Sequence, residues 1–228
     1  MGKIRTIALA GTLTFGLYVA FMHGNGTAPD VEIATIVVKP LEPLGPVNPF
    51  IFGHNIAAGD GEGIFPSGTQ ERSIMTADGL WDPETGKAVP VMAELAGEVG
   101  VSMMRYPGGC LAHNYDWRET VGPLEQRKYA SWKFGLDEYL AYCEELDVEP
   151  VITVSDYVLP ADEMPQHAAD LVEYLNAPAT PEHPWAMLRA KWGHPEPYGV
   201  IWFELGNESE HGNHHTIPRR VYTPEQYA

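Results

Sequence analysis

The sequence predicts an α/β fold, a parallel barrel of the (β/α)8 or TIM type, of which this chain carries roughly the first four strand and helix units. Three observations predict it. Short apolar runs alternate with stretches of helical period, the order of a parallel sheet joined by crossover helices. Polar residues stand at the ends of the apolar runs, where a parallel barrel gathers them at one mouth. The chain also closes on Thr223-Pro224-Glu225-Gln226, a helix opening with Thr as N-cap and Pro in the first turn, about four units into an architecture that needs eight.

The elements follow in order. Residues 24–47, with Pro40, Pro43 and Pro46, read as a Pro/Gly-rich linker and edge segment, and residues 48–228 as the N-terminal half of the barrel. Residues 50–56 form an apolar run closed by Ala57-Ala58-Gly59-Asp60-Gly61, a strand and its loop, and that loop stays Gly-rich as far as Gly86. Val91, Met92, Leu95, Ala96 and Val99 recur at helical spacing, and Gly100 ends the helix. Residues 101–106 are the second strand, stopped by Pro107-Gly108-Gly109. Leu136, Leu140, Cys143 and Leu146 mark the second helix, residues 150–155 the third strand, and Ala168, Leu171, Val172 and Leu175 the third helix. The fourth strand, residues 200–205, is β-branched and aromatic and is expected to be buried.

Composition narrows the function. The 228 residues are 44% hydrophobic and 20% charged, enough to bury a core. Against 31 Asp and Glu stand 14 Lys and Arg, a net charge of −17 that argues against nucleic acid and for a neutral or cationic ligand. Cys110 and Cys143 are too few for a disulfide framework and read as free thiols. Lys3 and Arg5 precede an almost uncharged run over residues 7–22, the order of an export signal. Residues 1–23 are therefore a signal peptide or an uncleaved membrane anchor, and the protein is expected to be secreted or periplasmic, or tethered to a membrane.

The fourth strand ends in Gly206-Asn207-Glu208. A parallel barrel places catalytic groups at such a tip, because the strand fixes the Cα while the following loop stays open to a ligand. Glu208 is the candidate proton donor; Gly206 removes bulk beside it, and Asn207 can direct an amide at a ligand hydroxyl. Asn55 follows the first strand, Arg105 to Gly109 the second, and Ser155 the third, so four segments converge. Arg105, next to a turn containing Gly108 and Gly109, is placed to pair with a carboxylate. His211, His214 and His215 beside Glu208 and Glu210 have the donor types of a zinc site, but in a loop they read as solvated or substrate-facing. No metal or cofactor is expected.

Several motifs follow one another in a recognisable order: Arg105-Tyr106-Pro107-Gly108-Gly109, Tyr115-Asp116-Trp117, Gly122-Pro123 with Arg127, Phe134-Gly135-Leu136-Asp137-Glu138-Tyr139, Glu149-Pro150, and Gly193-His194-Pro195-Glu196-Pro197-Tyr198 leading to Glu204-Leu205-Gly206-Asn207-Glu208. In order and rough spacing they resemble the α-L-arabinofuranosidases of glycoside hydrolase family 51. The resemblance implies a (β/α)8 barrel followed by a β-sandwich, hydrolysis with retention of configuration, Glu208 as acid/base and Asn207 as its hydroxyl-binding neighbour. The substrate-binding candidates are Asn55, Cys110, Trp132, Ser155, Asn207 and His211, with Trp132 as an aromatic wall and Arg105, Gly108 and Gly109 in support. The family's nucleophile is a Glu after the seventh strand, so none of these 228 residues takes that role and the isolated chain is expected to be inactive. Three departures stand out. Ala57-Ala58 replace a sugar-binding Glu, Cys110 an Asn, and Ser155 another Asn, and each lost hydrogen bond to a sugar hydroxyl is worth about 1.5–3 kcal/mol.

The expected partner is an oligo- or polysaccharide. Rival readings are a related barrel glycosidase of β-xylosidase, β-glucanase or galactofuranosidase type, and a non-catalytic carbohydrate-binding barrel at the cell surface. The altered mouth residues favour the binder, whereas the presence of both Asn207 and Glu208 opposes it. A third rival, a half-barrel that dimerises, requires the helix opening at Thr223 to be a true end.

Overall fold

The computed structural model describes residues 40–42, 45–57, 79–128, 133–212 and 220–227. The chain divides into two compact units, Met1–Asn48 and Pro49–Ala228. The described part of the first is exposed and holds a turn at Pro40 and Leu41. The export segment, residues 1–23, lies outside the described residues. Among the described residues no helix is long and apolar enough to cross a membrane.

The second unit opens with a single 3₁₀ turn, Pro49–Phe52, and strand β1, Gly53–Ala57. The expected strand over 50–56 is thus shifted toward the C-terminus, because Pro49 presets a backbone angle suited to a helical first turn. Within the stretch read as one long loop, β2 (Trp81–Asp82) and β3 (Lys87–Ala88) form a small antiparallel hairpin. Asp82 closes its turn by accepting from the Glu84 amide at 2.9 Å and the Thr85 hydroxyl at 2.8 Å. Asp and Thr punctuate turns through such local bonds. Helix α1, Pro90–Val99, ends at Gly100 in the left-handed conformation.

Strand β4, Met103–Gly108, runs on through Pro107 instead of stopping there. A proline cannot donate to a ladder, and it is accommodated where the register with β1 shifts between Asn55 and Ala57. Helix α2 (Leu136–Leu146) and strand β5 (Glu149–Val154) lie close to their expected places. Helix α3, Met164–Asn176, is followed by α4, Pro184–Lys191, which the apolar spacing did not signal. Arg189 of α4 is buried and donates to the carbonyls of Tyr174, Ala177, His194 and Pro195, so a guanidinium anchors this helix where an apolar stripe ordinarily would. Strand β6, Trp202–Leu205, and the short α5, Pro224–Tyr227, complete the unit.

The sheet runs β1-β4-β5-β6, every pair parallel. Its register aligns Asn55 with Arg105, Arg105 with Val151, and Thr153 with Glu204. Alternate residues of a strand face opposite ways, so the two sides differ in chemistry. Ile56, Met104, Tyr106, Ile152 and Val154 are buried on the helix side, where Tyr106 stacks on Tyr139 of α2 at 4.8 Å. Leu136, Leu140, Leu171 and Leu175 are fully buried there as well, each contributing about 2 kcal/mol. The opposite side carries Asn55, Arg105, Thr153 and Glu204. The burial expected of the fourth strand holds only at Val200; Ile201 and Leu205 are exposed, because among the described residues β6 is an edge strand that pairs with β5 alone.

Candidate active site

Arg105 projects from the middle of β4 onto the polar side of the sheet and binds three partners. Its Nε donates to the Glu204 carboxylate, its Nη1 to Asn55 Oδ1 at 3.2 Å, and its Nη2 to Asn207 Oδ1 at 3.0 Å. The Thr153 hydroxyl adds a longer contact to Glu204 at 3.4 Å. The planar guanidinium fork holds several acceptors in one fixed geometry, which an ammonium does not. Gly108 makes this possible, since a Cβ there would fall 1.9 Å from Asn55 Oδ1. With the Asn207 oxygen committed to Arg105, its amide NH2 is the end left for a ligand hydroxyl.

The turn that follows β6 is held at several points. Gly206 adopts φ +68°, and its N–H donates to the Val154 carbonyl at 2.9 Å. The Asn207 carbonyl accepts from Nε2 of the buried His113. The Ser209 hydroxyl donates to Asp156 Oδ2, and the Ser209 carbonyl accepts from the Tyr157 hydroxyl at 2.9 Å. Between them Glu208 sits at φ 48°, ψ 42°, a left-handed conformation that costs a side-chain-bearing residue about 1 kcal/mol. Its side chain is exposed and makes no hydrogen bond among the described residues. Strained, non-glycine backbone of this kind concentrates at functional sites.

Burial raises the pKa of the Asp156 carboxyl, a shift partly offset by the Ser209 hydroxyl and the charges of His113 and Arg220. Burial also pushes the Tyr157 phenol up to about 12, so it stays an O–H donor at ordinary pH. A cavity of about 350 Å³ beside β6 is lined by Glu204, Gly206, Glu208, Ser209, Glu210 and Tyr222. The arrangement offers one uncommitted carboxyl able to give and take a proton, an adjacent amide fixed by an arginine, and an acidic surface suited to a neutral, hydroxyl-rich ligand.

The chain is similar to known proteins over most of its length. Residues 95–225 match the family model described as the alpha-L-arabinofuranosidase 1 domain. The chain belongs to that family. A probable alpha-L-arabinofuranosidase C of Aspergillus niger is 32% identical to this α-L-arabinofuranosidase-family chain over 195 residues, covering 79% of the chain and 35% of the relative. An intracellular exo-alpha-(1->5)-L-arabinofuranosidase of Streptomyces lividans is also 32% identical, covering 79% and 27%. The chain therefore spans between a quarter and about a third of the length of these relatives. Among solved structures, the thermostable family 51 α-L-arabinofuranosidase of Thermotoga petrophila superposes with a TM-score of 0.54 at 30% identity, over 72% of this chain and 33% of that one. The family 51 enzyme of Bifidobacterium longum, at 24% identity and TM-score 0.60 over 74% and 32%, shows the shared fold. The parallel sheet and its crossover helices fit part of such a barrel.

In this arabinofuranosidase-family chain the Arg105 guanidinium joins Asn55 to Asn207, with Gly108 against Asn55 and Glu208 next to Asn207 in the chain; Asn55 and Arg105 lie within β1 and β4, not after them as expected, because β1 runs on to Ala57 and β4 to Gly108. Ser155 is buried, and its hydroxyl proton goes to the His113 carbonyl at 3.0 Å, so it supports the mouth from behind. Gly109 and Cys110 open the 3₁₀ helix Gly109–Asn114, with Cys110 half-buried and unbridged. Trp132, His214 and His215 lie outside the described residues, as does the side chain of His211, whose backbone closes the 3₁₀ helix Ser209–His211. Sequence reasoning misses Glu204, His113, Asp156 and Tyr157. Glu204 carries a signal, an acid inside an apolar strand four residues before Glu208 and on the polar phase of its alternation; the other three carry none.

Proposed function

We propose that this chain is about four β/α units of the catalytic (β/α)8 barrel of an exported, retaining glycoside hydrolase that removes α-L-arabinofuranosyl side chains from plant-type polysaccharides. Glu208 is the acid/base and Asn207 binds the sugar. The observation that carries this reading is the uncommitted Glu208 carboxyl at the tip of β6, beside an Asn207 amide fixed by Arg105. Membership of the α-L-arabinofuranosidase family supports the choice of sugar.

Retention needs one carboxyl that is protonated as the leaving oxygen departs and ionised as water arrives, and a second, roughly 5 Å away, that forms and then releases a glycosyl ester. Glu208 performs the first task. Its side chain is exposed and lines the cavity beside β6, while its backbone is fixed by the bonds to Gly206, Asn207 and Ser209. No residue of this chain is assigned the second task, which falls to the longer protein, so the isolated chain does not turn over. The reaction calls for no metal or cofactor.

The test is made on the full-length protein that carries this chain, with aryl α-L-arabinofuranoside beside aryl β-xyloside, β-glucoside and β-galactofuranoside, and with Glu208→Ala in parallel. Cleavage of the arabinofuranoside, with a slow second step in the variant that azide restores, is the expected result. Cleavage of another glycoside alone rejects the sugar. Wild-type activity in Glu208→Ala rejects the acid/base, and glycan binding without hydrolysis by the wild type establishes a binding protein instead.

A further inference from the structure

We propose that His113 and Asp156 are positioning residues that hold Glu208 in its proton-donating place, His113 through the Asn207 carbonyl and Asp156 through the Ser209 hydroxyl. The inference rests on the assignment of Glu208 as acid/base.

His113 comes from the 3₁₀ helix after β4 and Asp156 from the residues after β5, so the two reach the turn from different strands, β5 beside β6 and β4 one strand further. They grip the residues immediately before and after Glu208, and among the described residues neither hydrogen-bonds to Glu208 itself. This placement matters because the Glu208 backbone is in the left-handed region, where a carboxylate residue gains nothing locally and drifts to an ordinary conformation unless its neighbours over-determine it. The two grips are themselves braced. The His113 carbonyl accepts from Ser155, and its ring packs edge-on against Tyr157 at 5.3 Å. The Asp156 carbonyl accepts from the Tyr222 hydroxyl at 2.8 Å. Arg220 donates to the Tyr157 carbonyl at 2.8 Å and lies over the Tyr157 ring.

Gly206 shows how closely the second grip is fitted. A Cβ at that position would stand 2.4 Å from Asp156 Oδ2 and 2.6 Å from the Ser209 hydroxyl. Asp156 Oδ1 is buried and has no hydrogen-bond partner among the described residues. A buried oxygen left without a partner is costly, and the same carboxyl holds the Ser209 hydroxyl through Oδ2.

A positioning role differs from a purely structural one in its dependence on the leaving group. Proton donation matters most when the departing oxygen is basic and least when it leaves unaided. His113→Ala, His113→Gln and Asp156→Asn are therefore made in the full-length protein and assayed on an alkyl arabinofuranoside and on 2,4-dinitrophenyl arabinofuranoside, with thermal unfolding alongside. His113→Ala and Asp156→Asn are expected to lose about 100-fold in kcat/KM on the alkyl glycoside and only a few-fold on the dinitrophenyl one. His113→Gln, which keeps an N–H donor, is expected to recover about tenfold of the loss. Equal losses on both substrates, or no loss in a folded variant, overturn the proposal. Glu208→Ala is the control. If it shows the leaving-group dependence and the His113 and Asp156 variants do not, only this inference falls; if Glu208→Ala lacks it too, the acid/base assignment falls as well.

Discussion

Arg105 and Asn207, on β4 and just beyond β6, meet at 3.0 Å, the guanidinium donating to the amide oxygen across the intervening strand β5. One cation thereby sets which end of the Asn207 amide faces a ligand. Arg105→Lys keeps the charge but loses the fork. Losing one charge-assisted bond of about 1.5–3 kcal/mol corresponds to a fall in kcat/KM of roughly 10- to 100-fold. Steady-state kinetics of the full-length variant checks this, and activity within a factor of about two of wild type would show that Arg105 does not orient the site.

The left-handed backbone of Glu208 carries a stability cost that glycine does not incur. Glu208→Gly is expected to raise the unfolding free energy by about 1 kcal/mol while abolishing the proton-donor step. Denaturant titration of wild type and variant gives the difference. An unchanged or lowered midpoint would mean that the conformation is not strained.

Two glycines with similar φ separate strain from crowding. At Gly206, φ +68°, an added Cβ would lie 2.4 Å from Asp156 Oδ2, whereas at Gly100, φ +71°, it would meet nothing within 4 Å. Gly100→Ala should cost about 1 kcal/mol, for backbone strain alone, and Gly206→Ala about 3 kcal/mol, with the added displacement of Asp156 and Ser209. Equal losses in thermal unfolding would remove the crowding at Gly206.

Asp116 governs a pH dependence of stability. Burial raises its pKa, but hydrogen bonds from His167 and Arg118 and their charges outweigh burial and hold the carboxyl well below its ordinary 3.8. A folded pKa below the unfolded one favours the native state above pH 3.8, and that benefit is lost as the pH falls through the lower folded value. Asp116→Asn should cost about 2 kcal/mol at pH 7 and progressively less below pH 4. Unfolding followed by circular dichroism across that range would contradict this if the difference stayed constant.

The sequence disclosed those parts of the fold that depend on periodicity. Helix α2 and strand β5 are legible because Leu136, Leu140 and Cys143, and the run Val151-Ile152-Thr153-Val154, carry clean periods of helix and strand. Helix α4 is not, since Arg189 anchors it through backbone carbonyls and no apolar stripe marks it. In the site, Glu208 and Asn207 are visible from their place at a strand tip. The bonds of His113 to residue 207 and Asp156 to residue 209 span 94 and 53 positions, and nothing local in a sequence records such distances. Ser155 reads as facing substrate for the same reason: the position of a strand end is legible, but not the carbonyl that its hydroxyl finds.

The sheet's two chemically distinct faces separate what folds the chain from what it recognises. Ile56, Met104, Tyr106 and Ile152 lie toward the helices, and Asn55, Arg105, Thr153 and Glu204 toward the mouth, on alternate positions of the same strands. Side chains on one face do not pack against those on the other, because alternate residues of a strand point to opposite sides. Such a scaffold can change the chemistry of its polar face at Asn55 or Thr153 while the residues packed under the helices stay the same.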